Sequence, residues 1–370
     1  MDTQGYLEYL HPYHKWYFPK YCPEPLALDC NLPSSIVFSI LPWQNKTITF
    51  KRFMDFCLYD PEHGYYMDRE RVLGTQGDFY TSVHTHSLFA HTLTDVVAHY
   101  FEILSRPNPF HLVELGAGEG VLGRDIKGCL KKYYPHVFER IKYVPIEVNS
   151  GELPDQIQGV VFSNEFFDAL PVHRVRVRGE ELHEIYIQID DQISEVEGSL
   201  SDTRILKYMK EGFESWREGY TYEVNLRMID VLEELDQKMD SGIILTVDYG
   251  YDATYYETVD RVEGTLMCYQ HHQVVSDPYI NLGQQDITAH VNFLIMQRTG
   301  ERLGWKINPL VTQREFLLNW GLKKRLSEEE KHGILNPDRM DARLRLKRLL
   351  VPGGISDTMK VLLKEVRLND

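Results

Sequence analysis

The stretch Val113-Glu114-Leu115-Gly116-Ala117-Gly118-Glu119-Gly120 carries the strongest signal for the fold of this chain. It follows a short apolar segment and precedes a helix-like pattern, so it predicts a strand, a glycine turn and a helix start. Glycine lets the backbone approach a ligand closely, and turns of this kind hold nucleotide-like cofactors. The spacing differs from the dinucleotide fingerprint G-x-G-x-x-G, and an acidic residue, Glu114, precedes the first glycine. A carboxylate there favours a cationic cofactor, which indicates S-adenosylmethionine rather than a nicotinamide dinucleotide.

Composition and charge exclude several classes of protein. The chain has 370 residues, 43% of them hydrophobic, so it can bury a core as one large domain with insertions or as two domains. Its net charge of −15 argues against general nucleic-acid binding, which needs a basic surface. The five cysteines form no C-x-x-C pair, and we expect no metal site and no disulfide framework. Without a signal-peptide pattern or a long apolar run, we expect no membrane span and a cytoplasmic location.

Apolar runs alternate with amphipathic segments along most of the chain. This alternation predicts an α/β fold with a doubly wound sheet that is covered by helices on both faces. Strands are predicted at residues 111–115, 143–148, 159–163, 243–247, 266–269 and 359–366, with a hairpin over residues 172–189. Helices are predicted at residues 49–58, 87–104, 121–133, 204–216, 222–239, 288–303 and 312–320. Residues 1–47 are expected to form an irregular N-terminal extension.

Acidic residues stand at the ends of the predicted parallel strands. In an open parallel sheet, ligands bind at the carboxyl ends of the strands. Glu114 ends the first of them, and together with Gly116, Gly118 and Gly120 it is expected to cradle the methionine part of the cofactor. Glu147 ends the next strand and is expected to accept the ribose hydroxyls, although a solvated strand end would give the same pattern.

The third strand runs into Asn164-Glu165-Phe166-Phe167-Asp168, which combines polar groups with an apolar segment. Methyl transfer from a sulfonium requires a positioned acceptor in a dry site and removal of the acceptor's proton. Glu165 and Asp168 can orient the fork of an arginine, and with Asn164 they are the predicted catalytic residues. The structural alternative is a helix start with Asp168 as its cap. His290 either joins the catalytic set as a substrate contact or has a structural role.

With these residues assembled, the chain resembles the MidA family of S-adenosylmethionine-dependent methyltransferases. The resemblance runs from around residue 48 to the end of the chain, and its N-E-F-F-D-A-L-P-V string is far more specific than the glycine turn. Five segments carry it, in the family's order: Asp60-Pro61 with Gly64-Tyr65-Tyr66, Gly77-Asp78-Phe79, Glu114-Leu115-Gly116 through Gly120, Asn164 through His173, and Asp286 through Val291.

The resemblance implies a class I methyltransferase-like fold over residues 48–370, with substrate-recognition insertions around residues 172–240 and 251–320. It implies S-adenosylmethionine as the cofactor, with Gly77 and Asp78 contributing to its pocket. Mitochondrial members of the family methylate an arginine on a protein, so a protein arginine is the leading acceptor by resemblance. The expected partner is a protein, as a substrate or within an assembly, and the chain is compatible with a homodimer.

Two other functions stay open at the level of the sequence. The segment between Glu147 and Asn164 is shorter than is usual in the family, where a helix and a strand commonly help to wall the adenine pocket. One alternative is therefore a catalytically silent assembly factor that binds a partner protein through the same cleft. The other alternative is a small-molecule methyltransferase, which a closed and narrow acceptor pocket would favour.

Overall fold

The computed structural model describes residues 46–67, 86–147, 151–190, 192–252, 261–270, 273–322 and 355–368. The predictions for residues 1–45 and for Gly77 and Asp78 lie outside these ranges. The division of the chain into an extension, a methyltransferase domain and two insertions stays a prediction. Among the helices within the described ranges, none is long and apolar enough to cross a membrane.

The elements follow one another in a largely alternating order. The strands are β1 (Lys46–Thr49), β2 (Phe110–Leu115), β3 (Ile141–Ile146), β4 (Ile157–Asn164), β5 (His173–Arg178), β6 (Glu181–Ile189), β7 (Ile193–Gly198), β8 (Thr221–Val224), β9 (Met239–Tyr251), β10 (Met267–Gln270), β11 (Gln273–Val275), β12 (Asp286–Thr288), β13 (Val291–Asn292), β14 (Lys306–Ile307), β15 (Val311–Thr312) and β16 (Met359–Val366). The helices are α1 (Phe50–Tyr59), α2 (His86–Ile103), α3 (Val121–Tyr133), α4 (Pro135–Phe138), α5 (Thr203–Gly212), α6 (Leu226–Lys238), α7 (Phe293–Arg302), α8 (Gln313–Asn319) and α9 (Ile355–Thr358). A short 3₁₀ turn covers Tyr65–Met67.

An eight-stranded sheet forms the centre of the structure. Its middle strands lie in the order β9, β4, β2, β3, and all four are parallel. β16 extends the sheet antiparallel to β9, and β13, β14 and β15 pair along this side. Because the middle strands are parallel, their carboxyl ends at Leu115, Ile146 and Asn164 meet at one edge. The predicted doubly wound α/β fold is confirmed.

Alternate residues of the parallel strands are buried on opposite faces of this sheet. Leu112 and Val160 belong to an apolar cluster that includes α2 and α3. Their neighbours Val113 and Val161 belong to a second cluster, which includes α6 and α7. Strands that are covered on both faces read as continuous apolar runs rather than as alternating ones, which is the pattern seen in the sequence.

Two smaller sheets are built from the residues around and between the central strands. One is antiparallel, with the order β1, β6, β5, β8 and with β7 paired to β6. The other has the order β11, β10, β12 and is also antiparallel. A third apolar cluster contains Phe53 from α1, Ile187 from β6 and Ile287 from β12. This cluster brings α1 and the 3₁₀ turn beside both small sheets.

Two predicted helices begin later than expected. Residues 221–224 form β8, paired with β5, and α6 starts only after Asn225, whose Oδ1 accepts the Met228 amide at 2.8 Å. Likewise, residues 286–288 form β12, and α7 starts after Asn292, whose Oδ1 accepts the Ile295 amide at 3.2 Å. In both cases an asparagine caps the helix, and the residues before the cap pair with a strand that is distant in sequence.

Lys364 on β16 places an ionisable amino group in the core. Its side chain is 0% exposed, and its Nζ donates to Thr246 Oγ1 at 2.8 Å and lies 3.3 Å from Met296 Sδ. Burial lowers the pKa of Lys364 to about 7. The unfolded chain holds this proton up to its ordinary pKa of 10.5. Unfolding above pH 7 therefore takes up a proton, and this residue makes the protein more stable as the pH rises from about 7 towards 10.5.

We therefore predict that Lys364→Met stabilises the protein at neutral pH. The free energy of unfolding should rise by about 2 kcal/mol at pH 7, and the gain should shrink as the pH approaches 10. Urea denaturation at several pH values measures both effects. Lys360→Met, at a partly exposed position on the same strand, is the control and should not stabilise the protein. A gain for Lys364→Met that is the same at every pH would contradict the prediction.

Candidate active site

The glycine turn between β2 and α3 adopts a backbone that requires glycine. Gly116, Gly118 and Gly120 have φ angles of +67°, +54° and +66°, which are in the left-handed region. The amides of Gly116 and Ala117 both donate to the carbonyl of Ile146, at 2.9 and 3.1 Å. The turn therefore curls over the end of β3 and holds a fixed shape.

Glu114 faces the protein interior behind this turn. Its side chain is 4% exposed and accepts hydrogen bonds from the Tyr143 hydroxyl and from the Gly123 amide in the first turn of α3. Gly120, the N-cap of α3, has no side chain to make that bond. Burial, opposed by these hydrogen bonds, raises the pKa of Glu114 to about 7. Glu114 thus anchors the start of α3, and its contact with the methionine ammonium stays a prediction.

Glu147 lies directly after β3 and faces the glycine turn. Its Oε2 accepts the Gly118 amide at 2.6 Å. The structure therefore brings together the second acidic strand end and the middle glycine of the turn. The predicted contact between Glu147 and the ribose stays a prediction.

The segment after β4 is held in place by an acid from the neighbouring strand. Glu165 has a φ of +51°, and its amide donates to the Val247 carbonyl at 3.0 Å. Asp248 Oδ2 accepts the amides of Phe166 and Phe167, at 3.2 and 2.9 Å. Asn164 Nδ2 donates to Glu165 Oε1 at 3.2 Å. These bonds direct the predicted catalytic residues to the carboxyl ends of β4 and β9.

Four carboxylates meet at this point, those of Glu165, Asp168, Asp248 and Asp286. Asp168, Asp248 and Asp286 are at most 4% exposed. The pKa of Asp168 is raised well above its usual range, first by burial and then by the charges of the other three. Burial raises the pKa of Asp248 to about 7, and the charge of Glu165 adds to this shift. The four acidic groups interact electrostatically and are called the acidic cluster below.

Tyrosines surround the acidic cluster. The Tyr66 hydroxyl donates to Asp286 Oδ1 at 2.8 Å, and the ring of Tyr59 stacks on that of Tyr66 with centroids 5.4 Å apart. Besides burial, the charges of Glu165 and Asp168 raise the pKa values of both Tyr249 and Tyr269, so these hydroxyls also lie near the cluster. Negative charge with aromatic walls is an arrangement that binds organic cations.

His290 follows β12, and its ring packs against the ring of Tyr251 with centroids 4.8 Å apart. Its amide donates to Thr265 Oγ1 at 3.1 Å. Burial and the charge of Arg261 lower the pKa of His290 to about 4, so the imidazole is neutral at pH 7. These contacts fit a structural role, and substrate contact by His290 stays a prediction.

Several residues of this site have no role that the sequence alone predicted. Asp248 and Asp286 complete the acidic cluster, and Tyr66 and Tyr143 hydrogen-bond to site carboxylates. A signal for Asp248 was present, since it directly follows the apolar run 243–247 and stands at a strand end, as Glu114 does. Within the described part of the chain, no group of three or more His, Cys, Asp or Glu side chains is arranged to hold a metal ion.

Comparison with known proteins identifies the family. The model of a family described as "Putative S-adenosyl-L-methionine-dependent methyltransferase" matches residues 92–153 and 148–311, which is more than half of the chain. The chain belongs to this family. The resemblance drawn from the sequence is thereby confirmed, and S-adenosylmethionine is the cofactor of the family. The glycine turn, the Gly118 amide and the Glu147 carboxylate are groups that fit such a cofactor.

Relatives of known name and structure are similar over most of their length. The "Protein arginine methyltransferase NDUFAF7, mitochondrial" of Xenopus laevis is 26% identical over 373 residues, covering 85% of this chain and 83% of the relative. The human protein of the same name is 27% identical and covers 75% of this chain and 71% of its own. A Burkholderia thailandensis protein crystallised with S-adenosyl-homocysteine has the same fold, with a TM-score of 0.72, 24% identity, and coverage of 88% of this chain and 89% of its own.

These names also correct one prediction. The cytoplasmic location expected from the sequence is wrong, because the relatives from Xenopus laevis, Drosophila melanogaster and Homo sapiens are all named mitochondrial. The expectation rested on the lack of a signal-peptide pattern and of a long apolar run, and the lack of those patterns does not specify a compartment.

Two glycines of α3 provide a test of the packing behind the turn. A Cβ on Gly123 would lie 2.2 Å from the Tyr143 hydroxyl, whereas a Cβ on Gly128 would meet nothing within 4 Å. We predict that Gly123→Ala lowers the free energy of unfolding by about 1–3 kcal/mol and weakens binding of S-adenosyl-homocysteine, since Tyr143 must move away from Glu114. Gly128→Ala should raise stability by about 0.5–1 kcal/mol and leave binding unchanged. Equal effects of the two changes, measured by denaturation and calorimetry, would contradict this account.

Proposed function

We propose that this chain transfers a methyl group from S-adenosylmethionine to a guanidinium nitrogen of an arginine in a protein. The observation that carries the proposal is the acidic cluster beside the cofactor-binding turn. Buried carboxylates are costly unless a cation or hydrogen-bond donors compensate them. The raised pKa values of Asp168 and Asp248 indicate that the protein itself compensates them only in part.

A guanidinium is the cation that best matches this cluster. It stays charged at neutral pH, presents its donors in a planar fork and stacks on aromatic rings. Carboxylates accept such a fork by paired hydrogen bonds, and the tyrosines offer flat apolar surfaces beside them. A neutral small-molecule acceptor would offer no positive charge to Glu165 and Asp168. The printed name of the Xenopus laevis relative, a protein arginine methyltransferase, supports the same acceptor.

The cofactor is held, in this proposal, by the backbone of Gly116, Gly118 and Gly120 and by Glu147, with Glu114 supporting the turn from behind. The resemblance adds Gly77 and Asp78 to this pocket. When bound, S-adenosylmethionine supplies a methyl group on a cationic sulfur, which is open to in-line displacement by a nitrogen.

The residues after β4 have distinct tasks in this reaction. Asp248 already accepts three amides, those of Phe166, Phe167 and Tyr249, so we assign it to holding the segment. Glu165 and Asp168 then remain to orient the guanidinium, and Asn164 positions Glu165. A carboxylate with a raised pKa is a stronger base, so Asp168 is suited to accept the proton that the nitrogen loses.

The location and the partners follow from the same relatives. Their mitochondrial names favour a mitochondrial location for this chain as well. The substrate is a protein in this proposal, and the homodimer considered from the sequence stays a prediction. A silent assembly factor would bind its partner without transferring a methyl group, so a direct assay separates the two functions.

The cofactor site is tested by Gly118→Val. Valine strongly disfavours the φ of +54° found at Gly118. We expect calorimetry to detect no binding of S-adenosyl-homocysteine. Gly179→Val is a matched control, because Gly179 has a φ of +62° in the β5–β6 hairpin and a Cβ there meets nothing within 4 Å. Wild-type affinity in Gly118→Val would refute the assignment of the turn.

The acceptor site is tested by Asp168→Asn, which keeps the shape of the side chain and removes its charge. With labelled S-adenosylmethionine and arginine-containing peptides, we expect the transfer rate to fall roughly 100-fold or more. Affinity for S-adenosyl-homocysteine should stay within about twofold, because Asp168 lies on the acceptor side. Asp240→Asn, an exposed position on β9, should keep the wild-type rate. Transfer by the wild type to lysine peptides, but not to arginine peptides, would overturn the arginine assignment.

A further inference from the structure

A row of three side chains crosses the small sheet of β11, β10 and β12. Tyr269 on β10 lies directly opposite Val274 on β11 and directly opposite Asp286 on β12. Residues that face each other across antiparallel strands project from the same side of a sheet. The three side chains therefore form one line, called the entry row here, which ends at a member of the acidic cluster.

The entry row passes from solvent into the site. Val274 is 62% exposed, Tyr269 is 37% exposed and Asp286 is 2% exposed. After burial, the charges of Asp168 and Asp286 are the largest influences on the pKa of Tyr269, so its hydroxyl lies near the cluster. A single exposed aliphatic residue is ordinary on a protein surface. Val274 differs because its register places it in line with the acceptor site.

The sheet that carries the entry row is braced on one side. Asn281 Nδ2 donates to Gln270 Oε1 at 2.9 Å, and Gln270 Nε2 donates to the Gln284 carbonyl at 3.2 Å. Gln285 Nε2 donates to the Ile280 carbonyl at 2.8 Å, which closes the loop before β12. These bonds tie the loop between β11 and β12 to β10, so the row is presented on a supported surface.

We propose that the entry row binds an apolar side chain of the substrate, two residues from the methylated arginine. This inference rests on the proposed function. Neighbouring strands lie about 4.8 Å apart, so the midpoint between Tyr269 and Val274 is about 7 Å from Asp286. An extended peptide repeats on the same face every two residues, or about 6.6–7 Å. When its arginine reaches the acidic cluster, the side chain two positions away therefore lies over the row.

The occupant is thus an extended segment of a protein substrate with one cationic and one apolar anchor. Charge complementarity selects the arginine, since the row ends among four carboxylates. The exposed methyl groups of Val274 and the ring of Tyr269 then offer apolar surface to the second anchor. A polar residue beside the arginine would gain little from the apolar surface of the row. An acidic residue there would also be repelled by the acidic cluster.

Three fluorescent peptides test the proposal on the full chain. All have one central arginine in a glycine and serine background. One carries leucine two residues before the arginine, one carries leucine two residues after it, and one carries no leucine. Binding is measured with the protein saturated with S-adenosyl-homocysteine, and methylation is measured with S-adenosylmethionine. We expect one leucine peptide to bind roughly tenfold more tightly than the peptide without leucine.

Substitutions in the entry row test whether it causes the tighter binding of the leucine peptide. Val274→Ser should reduce the affinity ratio between the leucine peptide and the peptide without leucine to about twofold. Tyr269→Ala should have a similar effect, since each change removes apolar surface from the row. Ile103→Ser is the matched control, because Ile103 is 45% exposed at the end of α2, where the chain returns to the opposite end of the sheet. The affinity ratio of the Ile103→Ser variant should equal that of the wild type.

The outcomes separate this inference from the function on which it rests. Equal affinity for all three peptides, together with methylation of their arginine, would overturn the entry row and leave the arginine assignment intact. A leucine preference that survives both Val274→Ser and Tyr269→Ala would also overturn it. If none of the arginine peptides is bound or methylated, the arginine assignment fails, and the entry row fails with it.

Discussion

Asp248 makes the hydrogen bonds on which the arrangement of the acceptor site depends. Its buried carboxylate accepts the amides of Phe166, Phe167 and Tyr249, and so joins the end of β9 to the segment that follows β4. That segment includes Glu165, which has a left-handed backbone that a glutamate adopts only under constraint. A neutral side chain at position 248 would accept fewer of these bonds, and Asp168 would lose its position.

The two sets of acids at this edge of the sheet perform different tasks. Glu114 and Glu147 bond to backbone amides around the glycine turn and determine its shape. Glu165, Asp168 and Asp286 lie across the edge, where burial raises the pKa of Glu165, and burial together with the charges of Asp248, Glu165 and Asp286 raises the pKa of Asp168. The first set has hydrogen-bond partners in the glycine turn and at the start of α3, whereas the second is suited to bind a positive charge on the substrate. This division agrees with a cofactor on one side and a cationic acceptor on the other.

The concentration of buried charge has a cost in stability, which the rest of the fold must offset. Sites of this kind are places where proteins depart from the rule that buried polar groups are fully satisfied. Three apolar clusters surround the site, two on the faces of the central sheet and one that joins α1 to the small sheets. The position of α1 matters for function, because the 3₁₀ turn after it supplies Tyr66 to Asp286.

Much of the fold could be predicted from local patterns. The glycine turn, the strand leading into Asn164 and the strand at residues 359–366 each depend on a short stretch whose apolar period or glycine spacing is visible in the sequence. The two late helix starts could not be predicted, because residues 221–224 and 286–288 are strands only through pairing with β5 and β10. Propensity alone does not reveal a partner that lies far along the chain.

By itself, the sequence determined the family, the α/β class, the shape of the glycine turn and the presence of acids at the strand ends. Only the tertiary structure decided which acids meet. Tyr66 and Asp286 are 220 positions apart, yet they share a hydrogen bond, and Glu114 is directed inwards by a tyrosine from the next strand. Such contacts between distant residues depend on strand order and register, which arise from the packing of the whole chain rather than from any one segment.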